Sequence, residues 1–212
     1  MIAGFVQVNL AEMISEIGED RVKAILSDFS CPLNKDVEFY IRDKAIVFAK
    51  QGWAATHLVF ASYKDTLVLV GYFTLVTKVI MIYKANMSKT LQKKISKFSQ
   101  PDVSMKRYIM SAPLIAQLGK NFNKGYDKLI TGDELLKLAC DKVKSIQTDV
   151  GGKFVYLECE DKPQLIDFYT SNGFVNFGKR NLDKDETDVM SGGYLVQMLR
   201  YLKSIQTDVG GK

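Results

Sequence analysis

The sequence predicts an α/β fold in which helices flank a mixed, largely antiparallel central sheet within a single domain. Residues 57–62 and 66–83 are rich in β-branched and aromatic side chains, and a short turn separates them, as in an antiparallel hairpin. From Ser111 onward, strand patterns and helix patterns alternate. The 212 residues are 47% hydrophobic, which is enough to bury one sizeable core, so nothing requires a second domain.

The individual elements follow from apolar periodicity and from the residues that begin and end helices. Apolar residues recur at helical spacing over 36–50, and Gly52 follows, so this segment is predicted to be an amphipathic helix. The same reasoning predicts a helix over 133–147 that stops at Gly151, and a further helix that opens near Pro163. The other predicted strands are 112–118, 153–158, 175–179 and 194–202.

Two polar segments interrupt this pattern. Residues 84–106 are predicted to be a solvated insertion with one short helix, and residues 181–193 a polar, acidic link between two strands. The lysines of the insertion are Lys89, Lys93, Lys94 and Lys97. Such lysines fit either a solvated face or a contact with RNA.

The end of the sequence repeats an earlier segment letter for letter, since residues 203–212 are identical to residues 144–153. Repeats that build solenoids drift in sequence and recur at a fixed period. The first copy ends a predicted helix, whereas the second follows a predicted strand. We therefore expect one domain over 1–202, followed by a duplicate that is a non-structural tail or an artefact.

Composition argues against several classes of protein. Apolar runs such as 67–70 and 79–83 are far shorter than the roughly 20 residues that a bilayer span needs, so no membrane association is expected. Residues 1–10 show no secretory signal pattern. The cysteines are odd in number, far apart and without metal-ligand spacing, which favours free thiols in a reducing, cytoplasmic setting and no metal site. They are Cys31, Cys140 and Cys159.

The single histidine and the net charge narrow the chemistry further. A zinc site or a histidine-dependent catalytic pair would have to be built around His57, which begins a predicted strand and is expected to be structural. The net charge of +5 weakly favours an anionic ligand, such as a nucleotide cofactor or RNA.

The most informative local signal is a loop that opens a helix at Thr131. The run Thr131-Gly132-Asp133-Glu134 has the form of a capping box. A capped helix start leaves amide N–H groups and the positive end of the helix dipole facing outward, which suits a pyrophosphate. Gly125 and Gly132 permit close approach, and lysines could supply counter-charge; the alternative is an ordinary capped helix after a surface loop. These lysines are Lys120, Lys124 and Lys128.

A second motif carries a family resemblance. Residues 163–174 form a predicted helix that ends in Phe168-Tyr169-x-x-x-Gly173-Phe174 just before a strand, which resembles the C-terminal signature of the GNAT N-acetyltransferase superfamily. The order strand, loop, helix, strand, helix over 112–177 is similar to the family's acyl-CoA site. The phrase Gly132-x-x-Leu135-Leu136 also resembles its loop-to-helix junction. The resemblance extends over about 29–202.

The resemblance implies an acetyl-CoA-dependent transfer of an acetyl group to a primary amine, without a covalent enzyme intermediate. It places the acyl carbonyl and pantetheine along the strand, with an oxyanion donor near Leu118, and makes Tyr169 the acid that protonates the departing thiolate. A phenol with a reference pKa of about 10 is protonated at neutral pH; the alternative is that Tyr169 packs as core. The implied cofactor-binding residues are Ala116, Gln117, Leu118, Asn123, Lys124, Gly125, Tyr126, Thr131, Gly132, Asp133, Phe168 and Tyr169.

The sequence departs from the family's phosphate loop. That loop usually reads Arg or Gln, two residues, Gly, one residue, then Gly or Ala, whereas this chain has Asp127 and Ile130 at the first two of these positions. Only Gly132 fits. The resemblance therefore leaves the residues 123–126 to replace the missing contacts.

The general base is open at this stage. Glu158 and Glu160 lie on or just after the strand before the later helix, where a carboxylate could take the amine proton directly or through water, or could equally be a surface charge. The strand that carries Gln117 offers no carboxylate of its own. Glu158 is the candidate that we carry forward.

Upstream phrases resemble the toxin-like branch of the family, whose members acetylate the amino group of aminoacyl-tRNA. These phrases are Phe29-Ser30-Cys31, Thr56-His57-Leu58-Val59-Phe60 and Gly71-Tyr72-Phe73-Thr74-Leu75. Three functions follow as hypotheses: acetylation of a small-molecule or protein amine, acetylation of aminoacyl-tRNA, and binding of CoA without catalysis. A homodimer is also left open.

Overall fold

A single eight-stranded sheet organises the chain, in the order β1-β2-β3-β5-β6-β8-β7, with β4 beside β5. The computed structural model describes residues 4–182 and 193–203. Within those ranges the strands are β1 (Phe5–Asn9), β2 (Ala55–Tyr63), β3 (Thr66–Tyr83), β4 (Gln100–Asp102), β5 (Arg107–Lys120), β6 (Phe154–Cys159), β7 (Val175–Asn181) and β8 (Tyr194–Tyr201). Only β5 and β6 pair in parallel among these strands, so the predicted mixed, largely antiparallel sheet is confirmed.

The α-helices are α1 (Leu10–Ile17), α2 (Glu19–Ser27), α3 (Lys35–Phe39), α4 (Ala45–Lys50), α5 (Lys89–Ile95), α6 (Gly132–Val150) and α7 (Pro163–Ser171). A π-helical turn, Tyr40–Lys44, joins α3 to α4, so the helix predicted over 36–50 is one helical segment with a local change of winding. Short 3₁₀ helices lie at Lys84–Asn86 and Asn123–Leu129.

Several elements differ from the sequence prediction. The segment β1-α1-α2 was not predicted, although Asn9 caps α1 by accepting a hydrogen bond from the Ala11 amide at 2.9 Å. The strand predicted over 112–118 is the middle of the longer β5, because β3 pairs with it along its whole length. The stretch predicted as a loop after β5 contains the second 3₁₀ helix.

Apolar clusters cover both faces of the sheet. On one face, which we call the α6 face, the buried side chains of β2, β3, β5, β6 and β8 pack against α6 and α7. On the opposite face, the α3 face, one cluster packs beneath α1–α4 and includes Leu58 and Tyr72, and another packs beneath α5 and includes Ile82 and Tyr156. Residues that alternate along a strand therefore contribute to different layers.

The polar insertion carries the one short helix that the sequence predicts. Ser88 caps α5, and Ile95 is fully buried on the α3 face. Asp102 and Arg107 form an ion pair at 2.8 Å beside the turn that returns the chain to β5. The four lysines of this segment lie on the exposed side, so the insertion is anchored by its apolar residues and presents its charge outward.

Two expectations fall outside the described ranges: most of the acidic link, at 183–192, and the duplicate from 204 onward. None of the helices within the described residues combines the length and the apolarity that crossing a membrane requires.

Candidate functional site

A bulge in β5 opens the sheet at the strand predicted to bind the acyl group. Leu75 of β3 pairs with Ile115 and Thr74 pairs with Gln117, so Ala116 has no partner on β3. The parallel pairing of β5 with β6 comprises only the register pairs Leu114 with Tyr156 and Ile115 with Leu157. The two strands therefore part next to Ala116, an exposed residue. We call this gap the β5–β6 opening.

The capping box at the start of α6 is present as predicted. The Glu134 amide donates to the Thr131 hydroxyl at 3.1 Å, and the Thr131 amide donates to the Glu134 carboxylate at 2.8 Å. Within the described ranges, the amides of Gly132 and Asp133 donate to no protein atom. Two N–H groups at the positive end of a 19-residue helix are thus available to an anion.

The start of α6 packs directly against α7. A Cβ atom added at Gly132 would lie 3.2 Å from the Phe168 ring, which is a tight contact. The Asp133 carboxylate accepts a hydrogen bond from the Asn172 side-chain amide at 2.6 Å. The predicted residues Gly132, Asp133 and Phe168 are therefore brought together, and Gly132 lets the two helices approach.

The loop before α6 departs from what the sequence suggested for its lysines. The ammonium of Lys120 donates to the carbonyl oxygens of Asp127 at 2.8 Å and Ile130 at 3.2 Å, so it folds the loop and is not free as counter-charge. Lys124 and Lys128 are exposed. This corrects the expectation for Lys120, and the cause is local: the backbone carbonyls of Asp127 and Ile130, at and just after the 3₁₀ helix, accept hydrogen bonds from it.

The residues 123–126 form a kinked turn. Lys124 and Gly125 have φ of 53° and 76°, in the left-handed region. The Tyr126 ring packs edge-on against Tyr63 with ring centroids 5.9 Å apart, at the β2–β3 turn. Asn123 donates its amide to the side chain of Asn121 at 3.0 Å. This turn thus contacts the end of the sheet. The role of the turn in phosphate binding stays a prediction.

Tyr169 lies in an aromatic group on the α6 face. Its ring meets those of Phe168 and Phe174 edge-on, with centroid distances of 5.0 and 6.0 Å. Tyr169 is partly buried. Desolvation of the phenol, with nearby Cys159 on β6 adding to it, raises the pKa of Tyr169 well above its usual value. In the part of the chain that the structure describes, no group hydrogen-bonds to this hydroxyl. It is therefore a protonated donor without a protein acceptor.

Glu158 lies across the sheet from Tyr169. Cys159 belongs to the α6 face and Tyr156 to the α3 face, so alternation along β6 places Glu158 on the α3 face. Its carboxylate accepts hydrogen bonds from Arg180 at 2.9 Å and from Gln197 at 2.8 Å. Two hydrogen bonds thus fix the Glu158 carboxylate beside the opening. Glu160 instead forms an ion pair with Lys162 at 2.7 Å.

The sequence missed a further polar group on the α3 face. The side-chain amide of Gln117 donates to the carboxylate of Asp36 on α3 at 3.0 Å. Tyr40, Thr56 and Thr74 form a buried hydroxyl chain beside it, with oxygen distances of 3.5 and 2.9 Å. No spacing rule joins residues 81 positions apart, so only the fold reveals this group.

His57 and the cysteines have structural environments. His57 is buried and stacks on Phe73 at 5.0 Å, and burial, with a smaller contribution from Lys142, lowers its pKa to about 4. All three cysteines are buried free thiols, and burial raises the pKa of each. In the described residues, no group of three or more His, Cys, Asp or Glu side chains is arranged to hold a metal ion.

Comparison with solved structures identifies the fold. A bacterial toxin is 19% identical, with a TM-score of 0.59 over 93% of this chain and 90% of its own. AtaT complexed with acetyl-methionyl-tRNAfMet is 17% identical, with a TM-score of 0.56 over 91% and 93%. A tyrosine-to-phenylalanine mutant of AtaT, bound to acetyl-CoA and the C-terminus of the antitoxin AtaR, is 12% identical, with a TM-score of 0.57 over 93% of each chain.

No protein-family model and no curated protein sequence matches the chain. The likeness is therefore one of architecture, and it confirms the fold expected from the sequence. The chain has the GNAT fold, and the toxins AtaT and KacT are among the solved proteins that share it.

Proposed function

We propose that this protein is an acetyl-CoA-dependent N-acetyltransferase that acts on a primary amine. The observation that carries the proposal is the β5–β6 opening at Ala116, near the end of the strand whose following loop leads to the α6 start with its two available amides. A bulged strand that leaves the sheet can accept an extended ligand through its backbone, and a helix start can hold that ligand's phosphates. The AtaT structure with acetyl-CoA supports the choice of cofactor.

In this proposal the cofactor follows the α6 face. Its pyrophosphate receives hydrogen bonds from the amides of Gly132 and Asp133, and its acyl arm follows Ala116, Gln117 and Leu118. The negative charges of the Asp133 and Glu134 carboxylates at the α6 start would repel the pyrophosphate. Both are occupied, however, by Asn172 and by the capping box respectively, which keeps them directed to protein donors.

The chemical step is a direct displacement. The neutral amine nitrogen attacks the thioester carbonyl, the C–N bond forms, and the C–S bond breaks as the thiolate departs. Backbone N–H near Leu118 stabilises the oxyanion, and the nitrogen loses a proton while the sulfur gains one. No group on the protein becomes acylated.

Tyr169 supplies the proton to the sulfur. The raised pKa keeps the phenol protonated at any pH at which the protein works, and its hydroxyl is not engaged elsewhere in the described structure. The role is that of a general acid, which typically contributes about a hundredfold or more to the rate.

Glu158 is proposed to receive the amine proton, directly or through water. It lies on the opposite sheet face from Tyr169, which separates the group that gives a proton from the group that takes one. Arg180 and Gln197 fix its carboxylate in place. This arrangement positions Glu158 for a proton on the acceptor side of the opening.

Aminoacyl-tRNA is a second candidate acceptor. The insertion that carries α5 packs on the α3 face, so its exposed lysines lie on the acceptor side of the sheet. The neighbour AtaT, complexed with acetyl-methionyl-tRNAfMet, gives this acceptor its structural precedent. A basic, exposed helix on that side suits the phosphates of a nucleic acid.

Acetyl-CoA titration followed by a turnover screen tests the function. The folded wild type is expected to bind acetyl-CoA by calorimetry and to release CoA in the presence of spermidine or methionyl-tRNA. Absence of binding would overturn the cofactor assignment. Binding without turnover on any amine would instead favour the third hypothesis, a CoA-binding protein of this fold that lacks catalysis.

Charge reversal separates the two acceptors. The double variant Lys93→Glu, Lys94→Glu should raise the Michaelis constant for methionyl-tRNA in a salt-sensitive way and leave that for spermidine unchanged, because only the nucleic acid meets a row of phosphates. Lys23→Glu, Lys137→Glu is the matched control, since both lysines are exposed and lie outside the insertion. An equal effect of both double variants on tRNA would reject α5 as a specific contact.

A further inference from the structure

A polar strip crosses the α3 face at the β5–β6 opening. The apolar cluster beneath α1–α4 ends at Tyr72, and the cluster beneath α5 resumes at Ile80. Between them on this face lie the polar side chains of Thr74, Gln117 and Glu158, together with the partly buried Val76. A group of polar side chains at the point where the sheet opens is where a polar acceptor can enter.

Asp36 supplies a carboxylate to this strip. It is half-buried, and its carboxylate accepts the Gln117 side-chain amide at 3.0 Å. Gln117 directly follows the bulge residue Ala116. The strand itself has no carboxylate, so the fold brings one from α3 to the residue next to the proposed acyl site.

The position of Asp36 is fixed by close packing of α3 on the sheet. A Cβ atom added at Gly119 would lie 2.3 Å from the Val37 side chain, so α3 approaches β5 only because this residue is glycine. The Tyr72 hydroxyl donates to the Val37 carbonyl at 2.6 Å. Asn34 caps α3 by accepting the Asp36 amide at 3.0 Å. The position of Asp36 is therefore fixed by the cap of α3 before it and by the packing of Val37, the next residue, on the sheet.

The buried hydroxyl chain of Tyr40, Thr56 and Thr74 lies next to Gln117 on the same face of the sheet. Thr74 is the register partner of Gln117, and its hydroxyl meets that of Thr56 at 2.9 Å. Tyr40, which ends this chain, begins the π-helical turn. Turns of that kind are frequent at functional sites, because they redirect side chains within a helix.

We propose that Asp36, positioned by Gln117, binds the ammonium group of the acceptor amine on the α3 face of the opening. This inference rests on the proposed function and names the residue that selects its substrate class, a primary amine that is protonated in water. A carboxylate held by one neutral donor keeps acceptor capacity for a charge-assisted hydrogen bond from an ammonium. Glu158, on the same face, then takes the proton that frees the nitrogen.

Initial-rate kinetics of the full chain test this assignment, with spermidine and methionyl-tRNA as probes. Asp36→Asn preserves shape and removes the charge. It should raise the Michaelis constant for the amine at least about tenfold and leave that for acetyl-CoA unchanged. Gln117→Leu frees the carboxylate to move and should produce a smaller rise of the same kind.

Asp141→Asn is the matched control, because Asp141 is a carboxylate that pairs with Lys137 on α6, the helix that packs on the opposite face of the sheet from α3. It should change neither constant. If the wild type turns over either amine and both Asp36→Asn and Gln117→Leu leave the amine constant unchanged, the assignment of Asp36 is overturned while the proposed function stands. A wild type without acetyl-CoA turnover rejects the proposed function and this inference with it.

Discussion

The two faces of the sheet at the β5–β6 opening are assembled in different ways. On the α6 face, the capping box lies within the four residues 131–134, and the aromatic group around Tyr169 comes from one helix and the turn after it. On the α3 face, the hydrogen bond from Gln117 to Asp36 joins residues 81 positions apart. The two motifs on the proposed cofactor side are thus each local in sequence, whereas the carboxylate on the proposed acceptor side reaches the opening only through tertiary packing.

Replacing Tyr169 by phenylalanine tests the α6 face most severely. Loss of the hydroxyl removes the proposed acid, so the turnover number should fall by about a hundredfold or more, while the dissociation constant for acetyl-CoA stays unchanged. Single-turnover kinetics and calorimetry measure the two quantities.

Tyr201→Phe is the control for this change. The Tyr201 ring packs against Phe154 at 5.3 Å, away from the opening, so its hydroxyl should be dispensable for turnover. Unchanged single-turnover rates for Tyr169→Phe would reduce Tyr169 to a packing residue.

Gly119→Ala tests the α3 face through packing alone. The added methyl group would meet Val37 at 2.3 Å, so α3 must shift, at a cost of about 1–3 kcal/mol in the free energy of unfolding. Because Asp36 moves with α3, the Michaelis constant for the amine should rise more than that for acetyl-CoA. Thermal denaturation and initial rates check both effects, and an equal rise in the two constants would contradict the division between faces.

Gly132→Val tests the α6 start. A branched side chain at this position would crowd the Phe168 ring and block the approach of the pyrophosphate to the amides, so acetyl-CoA should bind about tenfold more weakly. Gly193→Val is a suitable control, since no atom lies within 4 Å of the position its Cβ would occupy. Calorimetry that finds the same acetyl-CoA affinity for Gly132→Val and the wild type would remove this helix start from the site.

His57, a buried residue on the α6 face without a proposed role in catalysis, should make the free energy of unfolding depend on pH. Its pKa of about 4 in the folded state lies below the usual histidine value of 6.5, so the unfolded state binds more protons between these values and stability falls as the pH falls through that window. Between pH 7.5 and 5.5 the loss is about 1 kcal/mol. His57→Phe should show a shallower loss in chemical denaturation; parallel profiles for both proteins would exclude His57 as the source.

The sequence predicted the elements and motifs that depend on neighbouring residues, and it missed contacts that depend on tertiary packing. The strands β2, β3 and β5–β8, the helix over 36–50, the capping box and the segment around Tyr169 depend on periodicity and short motifs, and they were predictable, whereas the short β4 within the polar insertion was not. The N-terminal β1-α1-α2 was missed, although Asn9 and Gly18 mark its helix ends. Lys120 was misjudged because its partners are backbone carbonyls, and Asp36 was missed because α3 reaches Gln117 only through the absent side chain of Gly119.

Hydrogen–deuterium exchange with and without saturating acetyl-CoA tests the central claim most directly, because it locates the cofactor without requiring the acceptor. The amides of Gly132 and Asp133 have no acceptor in the described structure and should exchange rapidly in the free protein. Acetyl-CoA is expected to slow exchange in peptides that cover 116–118 and 131–134, and to leave α3 unchanged. No protection at the α6 start, or protection confined to α3, would contradict the account.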